Sequence, residues 1–169
     1  LLPGDGRFLL DLPIATDNGN PITGLARSEF ILESPGVTTQ PLSGWSNTRS
    51  YPTASLDTSK AQLTRRPYAD APREAIPTDQ WMFARNEGGI GLDGVAKQTA
   101  IVPSETNIFL PAGFEPGVIY ELVYTGRDPL VLGLGHTAVR DLIGFLKHDS
   151  TDANPLAGTE KAYGWGRSQ

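Results

Sequence analysis

Four residues near the end of the sequence, Gly166-Arg167-Ser168-Gln169, have the types and spacing of a nucleophile site. In a small-x-Ser-x-small pattern the glycine two places before the serine lets the backbone turn tightly, and the hydroxyl is thrown clear of the strand leading into it. Four of the five places are supplied. Ser168 at such an apex would attack an acyl carbon. The backbone N–H of Gln169 would donate one hydrogen bond to the oxyanion, a contact whose loss typically costs about 3 to 4 kcal/mol of activation energy. Arg167 would reach toward a substrate carboxylate or form a salt bridge, and Tyr163 and Trp165 would pack the incoming strand on a core. The competing reading is a frayed polar tail.

A nucleophilic serine needs a base, and the sequence has two histidines. His148 falls at a predicted helix end, where a solvent-exposed cap is expected. His136 falls in the first turn of the same helix, at the wrong end to serve Ser168. The base and its acid are therefore expected outside this sequence.

The elements that must position Ser168 come just before it. Val118-Ile119-Tyr120-Glu121-Leu122-Val123-Tyr124 is apolar on both parities, which predicts a strand covered on both faces, inside a parallel sheet. Val139, Leu142, Ile143 and Leu146 then fall at i, i+3, i+4 and i+7 and predict a helix ending at Lys147 and His148. Residues 149–158 form the loop back and 161–165 a second strand. Strand, helix, loop and strand in succession predict a βαβ unit over 116–169 that feeds the elbow.

Residues 1–115 read as β-rich with long connections. Asn18-Gly19 is the strongest hairpin signal, between residues 8–15 and a returning strand at 29–33. Turn chemistry accounts for Asp17, Asn18 and Asn20 better than calcium ligation, because no acid closes the loop at its twelfth position. Further strands are expected at 61–65, 101–102 and 107–110. Arg65-Arg66 near Tyr68 reads as a solvated strand end rather than a basic groove.

With those residues in view, the sequence resembles a bacterial family of α/β-hydrolase domain proteins. The likeness runs through residues 114–124, Gly133-Leu134-Gly135, 138–142, Phe145-Leu146-Lys147-His148 and Ala162-Tyr163-Gly164-Trp165-Gly166-Arg167-Ser168-Gln169. Asp11-Leu12-Pro13, Thr16-Asp17-Asn18-Gly19 and Trp81-Met82-Phe83-Ala84 are similar too. In that family the chain continues Ser-Gly-Arg, and Ser168 takes the nucleophile's place in the elbow of tannase and feruloyl esterase-like enzymes. The resemblance implies an α/β-hydrolase fold, incomplete here, in one domain over 1–169. It implies a serine esterase whose histidine and acid lie beyond Gln169, inactive as this piece alone. It further implies a small-molecule ester as substrate, the rest of the hydrolase as partner, no metal and no cofactor, with homo-oligomerisation left open.

Two other chemistries compete. Gly133-Leu134-Gly135-His136-Thr137-Ala138 fits G-x-G-x-x-G/A and would make a dinucleotide-binding turn, although Gly126-Arg127-Asp128-Pro129 separates it from the preceding strand. A non-catalytic β-rich module would instead offer Trp45, Tyr51 and Trp81 as aromatic surface for a carbohydrate. Its mark would be antiparallel strands at 118–124.

Composition bounds these readings. The 169 residues suit one domain with a real core. A net charge of -5, with 14 scattered Lys and Arg, argues against nucleic acid or an anionic membrane as partner. No cysteine is present, which removes thiol nucleophiles and disulfides. No uncharged apolar run approaches the roughly eighteen residues of a spanning helix. The opening Leu1-Leu2-Pro3-Gly4-Asp5-Gly6 lacks the features of a signal peptide and suits a mature secreted or periplasmic form.

Overall fold

The computed structural model describes residues 12–45, 48–88 and 100–164. The chain forms two compact units, one of residues 14–129 and one of residues 1–13 with 130–169. Among the described residues the larger unit has ten strands: β1 Thr16–Asp17, β2 Asn20–Pro21, β3 Thr23–Ile31, β4 Thr39–Pro41, β5 Gln62–Arg66, β6 Glu74–Ala75, β7 Ala84–Glu87, β8 Ala100–Pro103, β9 Asn107–Phe109 and β10 Ile119–Arg127. Every strand pair is antiparallel.

The Asn18-Gly19 turn forms as its chemistry demands. Both residues take positive φ, 49° and 83°, and they join β1 to β2 as a two-residue connection. The strand expected at 29–33 to return against 8–15 is instead the end of the longer β3, which stops at Ile31 and pairs with β10. The strands expected at 61–65, 101–102 and 107–110 are present as β5, β8 and β9.

The main sheet has the order β3-β10-β5-β6. β10 is at its centre. Along one side it pairs with all of β3, from Ile119 opposite Ile31 to Arg127 opposite Thr23. Along the other it pairs with β5, and then with residues 52–54, where Ala54 N–H reaches the Thr125 carbonyl and Arg127 N–H the Pro52 carbonyl. The β4-β9 and β7-β8 pairs make a second set, apart from the exposed β1-β2 hairpin. β9 lies between β4 and residue Met82, whose backbone exchanges hydrogen bonds of 3.0 and 2.8 Å with Phe109.

The core sits between these sets. Phe30, Leu63, Tyr120, Leu122 and Tyr124 from the main sheet meet Leu42, Trp81, Phe83, Ile108, Leu110 and Phe114. Aromatic edges lock it: Phe114 meets Tyr120 at 5.0 Å, Trp81 meets Phe83 at 5.2 Å, and Phe30 stacks on Tyr120 at 5.8 Å.

The parallel βαβ unit expected over 116–169, and with it the α/β-hydrolase fold, is overturned. β10 has an antiparallel neighbour on each side, and Lys161 to Gly164 carry no regular secondary structure. The apolar run on both parities of 118–124 has a different cause. Even positions face the aromatic core, while on the other face Ile119 and Val123 flank a buried carboxylate, Glu121. Arg73 donates to Glu121 through Nε at 2.9 Å and Nη2 at 3.1 Å, and Arg27 donates through Nε at 2.8 Å. Arg27 and Arg66 both reach Glu29, at 2.9 and 2.5 Å. Arginines of the neighbouring chain segments thus do on this face what helices were expected to do.

The smaller unit holds α1, Gly135–His148. The helix forms where its apolar spacing placed it and ends on Lys147 and His148. None of its residues is buried, and Val139 is 57 % exposed. Asn154 closes its C-terminus, its amide donating to the carbonyls of Phe145, Leu146 and Asp149 at 2.7 to 3.2 Å.

Two outcomes follow from this packing. Hydrogen bonds from Arg73, then from Arg27, hold the Glu121 carboxyl at about 2 against an ordinary 4.5. Because the folded value is depressed, the stability it confers is complete above about pH 4.5 and is lost as pH falls through 2. Glu121→Gln should therefore lower the urea midpoint at pH 7, with the gap to wild type closing near pH 2. Trp81→Ala, at a site 2 % exposed, should cost about 3–5 kcal/mol in urea denaturation, whereas Trp45→Ala, at a site 68 % exposed, should change stability by less than about 0.5 kcal/mol.

Candidate functional site

Ser168, Gln169 and Arg167, with Trp165, lie outside the described residues. The two histidines are described, and both are exposed, at opposite ends of α1. Gly133-Leu134-Gly135 opens α1, with Gly133 at φ 83°, but the strand before it is the antiparallel β10 rather than the parallel strand a dinucleotide fold requires. Of the three aromatics offered as carbohydrate surface, Trp81 is removed by burial; its ring is part of the core. Trp45 is exposed and Tyr51 is 38 % exposed.

Tyr51 borders a concavity of the larger unit. A groove of about 440 Å³ is lined by Ile22, Thr23, Gly24, Leu25, Ala26, Arg27, Tyr51, Gly126, Arg127 and Pro129, a volume within the range of small-ligand sites. It exists because of a register coincidence. β3 and β10 set Gly24 directly opposite Gly126, and Ala26 opposite Tyr124. At Gly24 a Cβ would meet nothing within 4 Å, so space is left there, whereas over Gly126 the side chains of Ala26, Tyr51 and Tyr124 close in.

Tyr51 is fixed beside that gap. Its Cβ lies 3.5 Å from where a Cβ on Gly126 would stand, and its carbonyl accepts the Tyr124 hydroxyl at 2.9 Å. Burial pushes the Tyr124 phenol up to about 12, so it stays a donor. The two arginines among the lining residues are held by carboxylates. Arg27 is held by Glu121 and Glu29, and Arg127 by Asp128 and, at 2.5 Å, by Glu105.

The groove's lining residues include one threonine, one tyrosine and two arginines, and no acidic residue or histidine; the arginines stand at positions of β3 and β10 on the face that carries Glu121. No proton-transfer pair faces the space. An aromatic ring beside apolar walls suits a ligand that presents C–H faces. Sequence reading found Tyr51 through its residue type. It missed Gly24 and Gly126, whose meaning appears only when the two strands are aligned.

Among the described residues, no group of three or more His, Asp or Glu side chains could hold a metal, and no helix is long and apolar enough to cross a membrane. Comparison with family models, with curated proteins and with solved structures finds no match to this chain in any of the three.

Proposed function

We propose that the chain is a non-catalytic β-rich binding module for carbohydrate, with its site in the groove beside Tyr51. The observation that carries the reading is the groove's lining: the partly exposed ring of Tyr51 beside apolar walls, suited to the apolar face of a sugar, with no acidic residue or histidine among the residues that line it. The antiparallel sheet at 118–124 supports the same choice over the serine hydrolase, whose elbow was to follow a parallel strand.

Titration with a series of oligosaccharides, followed by amide chemical shifts, tests the proposal. Saturable shifts are expected at Gly24, Tyr51 and Gly126. Tyr51→Ala should weaken binding about tenfold or more. Gly24→Leu should abolish it while leaving the fold intact, because a Cβ on Gly24 meets nothing within 4 Å. No shift at these residues with any saccharide would overturn the reading, and so would ester turnover that disappears in Ser168→Ala.

A further inference from the structure

β3 is paired along one margin only. The main sheet runs β3-β10-β5-β6, so β10 closes one side of β3 and the other side is the edge of the sheet. Which residues present their backbone to that edge follows from β10. The Thr125 carbonyl accepts from Ala54 and the Arg127 N–H donates to Pro52, both on the side of β10 away from β3. Backbone groups alternate sides along a strand, so odd residues of β10 turn from β3 and even ones turn toward it. The even partners Gly24, Ala26, Ser28 and Phe30 therefore carry the β3-β10 ladder. The N–H and C=O groups of Thr23, Leu25, Arg27, Glu29 and Ile31 point to the open edge, and among the described residues none of them has a hydrogen-bond partner.

No proline or bulge blunts this edge. β3 has nine residues in an unbroken register, and a long uninterrupted edge is a template for another strand. The Gly44 turn comes close to the Glu29 carbonyl from the core-facing side, beside Ser28 and Phe30, yet its N–H bonds the Pro41 carbonyl instead. On the opposite face the odd residues show their side chains. Leu25 is 84 % exposed and Ile31 55 % exposed, and the ion pair of Arg27 with Glu29 stands between them.

The order of those four side chains is its own complement. Set antiparallel to a second β3 with Arg27 opposite Glu29, the stretch also places Leu25 opposite Ile31, and a two-fold axis repeats both pairs. Apolar side chains meet apolar ones, and each guanidinium meets a carboxylate. The residues brought opposite are the odd ones, so the N–H and C=O groups that face the edge are those exchanged, pair by pair. A foreign strand would have to supply apolar, acidic, basic and apolar residues at alternate positions. A second copy of this chain supplies them already.

We propose that β3 is a homodimer interface, at which two copies of the chain join their main sheets edge to edge through residues 25–31. The inference is independent of what the groove binds. Sedimentation equilibrium of the chain from about 1 μM to about 1 mM should show monomer and dimer in exchange, with a dissociation constant on the order of 10–100 μM. Ile31→Glu and Leu25→Lys should each weaken association about tenfold or more, because each sets a charge opposite an apolar side chain on both sides of the axis. The two substitutions combined should restore association to within about threefold of wild type. Positions 25 and 31 lie about 20 Å apart along one strand, so their opposite charges can meet only between copies. Both sites are exposed, and all three variants should keep the wild-type urea midpoint at a concentration where the chain is monomeric. A monomer at every concentration would overturn the proposal. A dimer indifferent to both single substitutions would place the contact elsewhere and overturn it too, and a double variant as weak as the singles would overturn the pairing of Leu25 with Ile31.

Discussion

Antiparallel pairing of β10 on both of its sides is the constraint from which the rest of the larger unit follows. Nine residues paired with β3, the first five of them also with β5, leave the strand one freedom, the alternation of its side chains. Tyr120, Leu122 and Tyr124 go one way and are 0–3 % exposed. Glu121 goes the other way and gathers Arg27 and Arg73. The aromatic core and the ion network are therefore two faces of one strand, and neither can move by a residue without exchanging places with the other.

The carboxylate keeps its buried position only through those partners. An unpaired Glu at 9 % exposure would be pushed to hold its proton, whereas two guanidiniums donating to it keep it ionised. Arg66 extends the network to Glu29 but leaves its Nε without a partner. On the core side Trp81 Nε1 and Ser28 Oγ are likewise unpaired, the serine lying under the Gly44 turn, where a Cβ would come within 3.2 Å of it. These unpaired groups are costs that the aromatic packing on the core side outweighs.

Local features were legible in the sequence, and pairing direction was not. Asn18-Gly19 forms its turn because both residues tolerate positive φ, which is a property of the dipeptide alone. β8, β9 and β10 lie where β-branched and aromatic residues cluster. Whether β10 runs parallel or antiparallel to its neighbours depends on β3 and β5, remote in sequence, and an apolar run says nothing of direction. Glu121 was the available signal: a carboxylate in mid-strand fits a helix-covered parallel sheet poorly and fits an arginine-lined face well. The groove was hidden for a related reason, since an isolated glycine in each of two strands gains meaning only when register sets them opposite. Trp45 and Trp81 show the limit for residue type, one ring exposed and the other in the core.

Helix α1 separates periodicity from burial. Its apolar spacing marked its place along the chain, yet no residue in it is buried, so tertiary packing within the described residues does not supply the usual reason for a helix of fourteen residues to persist. Its ends must supply more of that reason. The N-terminus has no side-chain cap, with Leu134 at the cap position. The C-terminus is held by Asn154, which satisfies three carbonyls at once, by the Asp149 N–H on Phe145, and by Lys147 and His148 where the macrodipole is negative. Stability is thus concentrated at one end, and fraying should begin at Gly135 and travel toward the capped turn. An amphipathic pattern shows which stripe of a helix is able to be covered; the capping residues decide whether the helix stands before anything covers it.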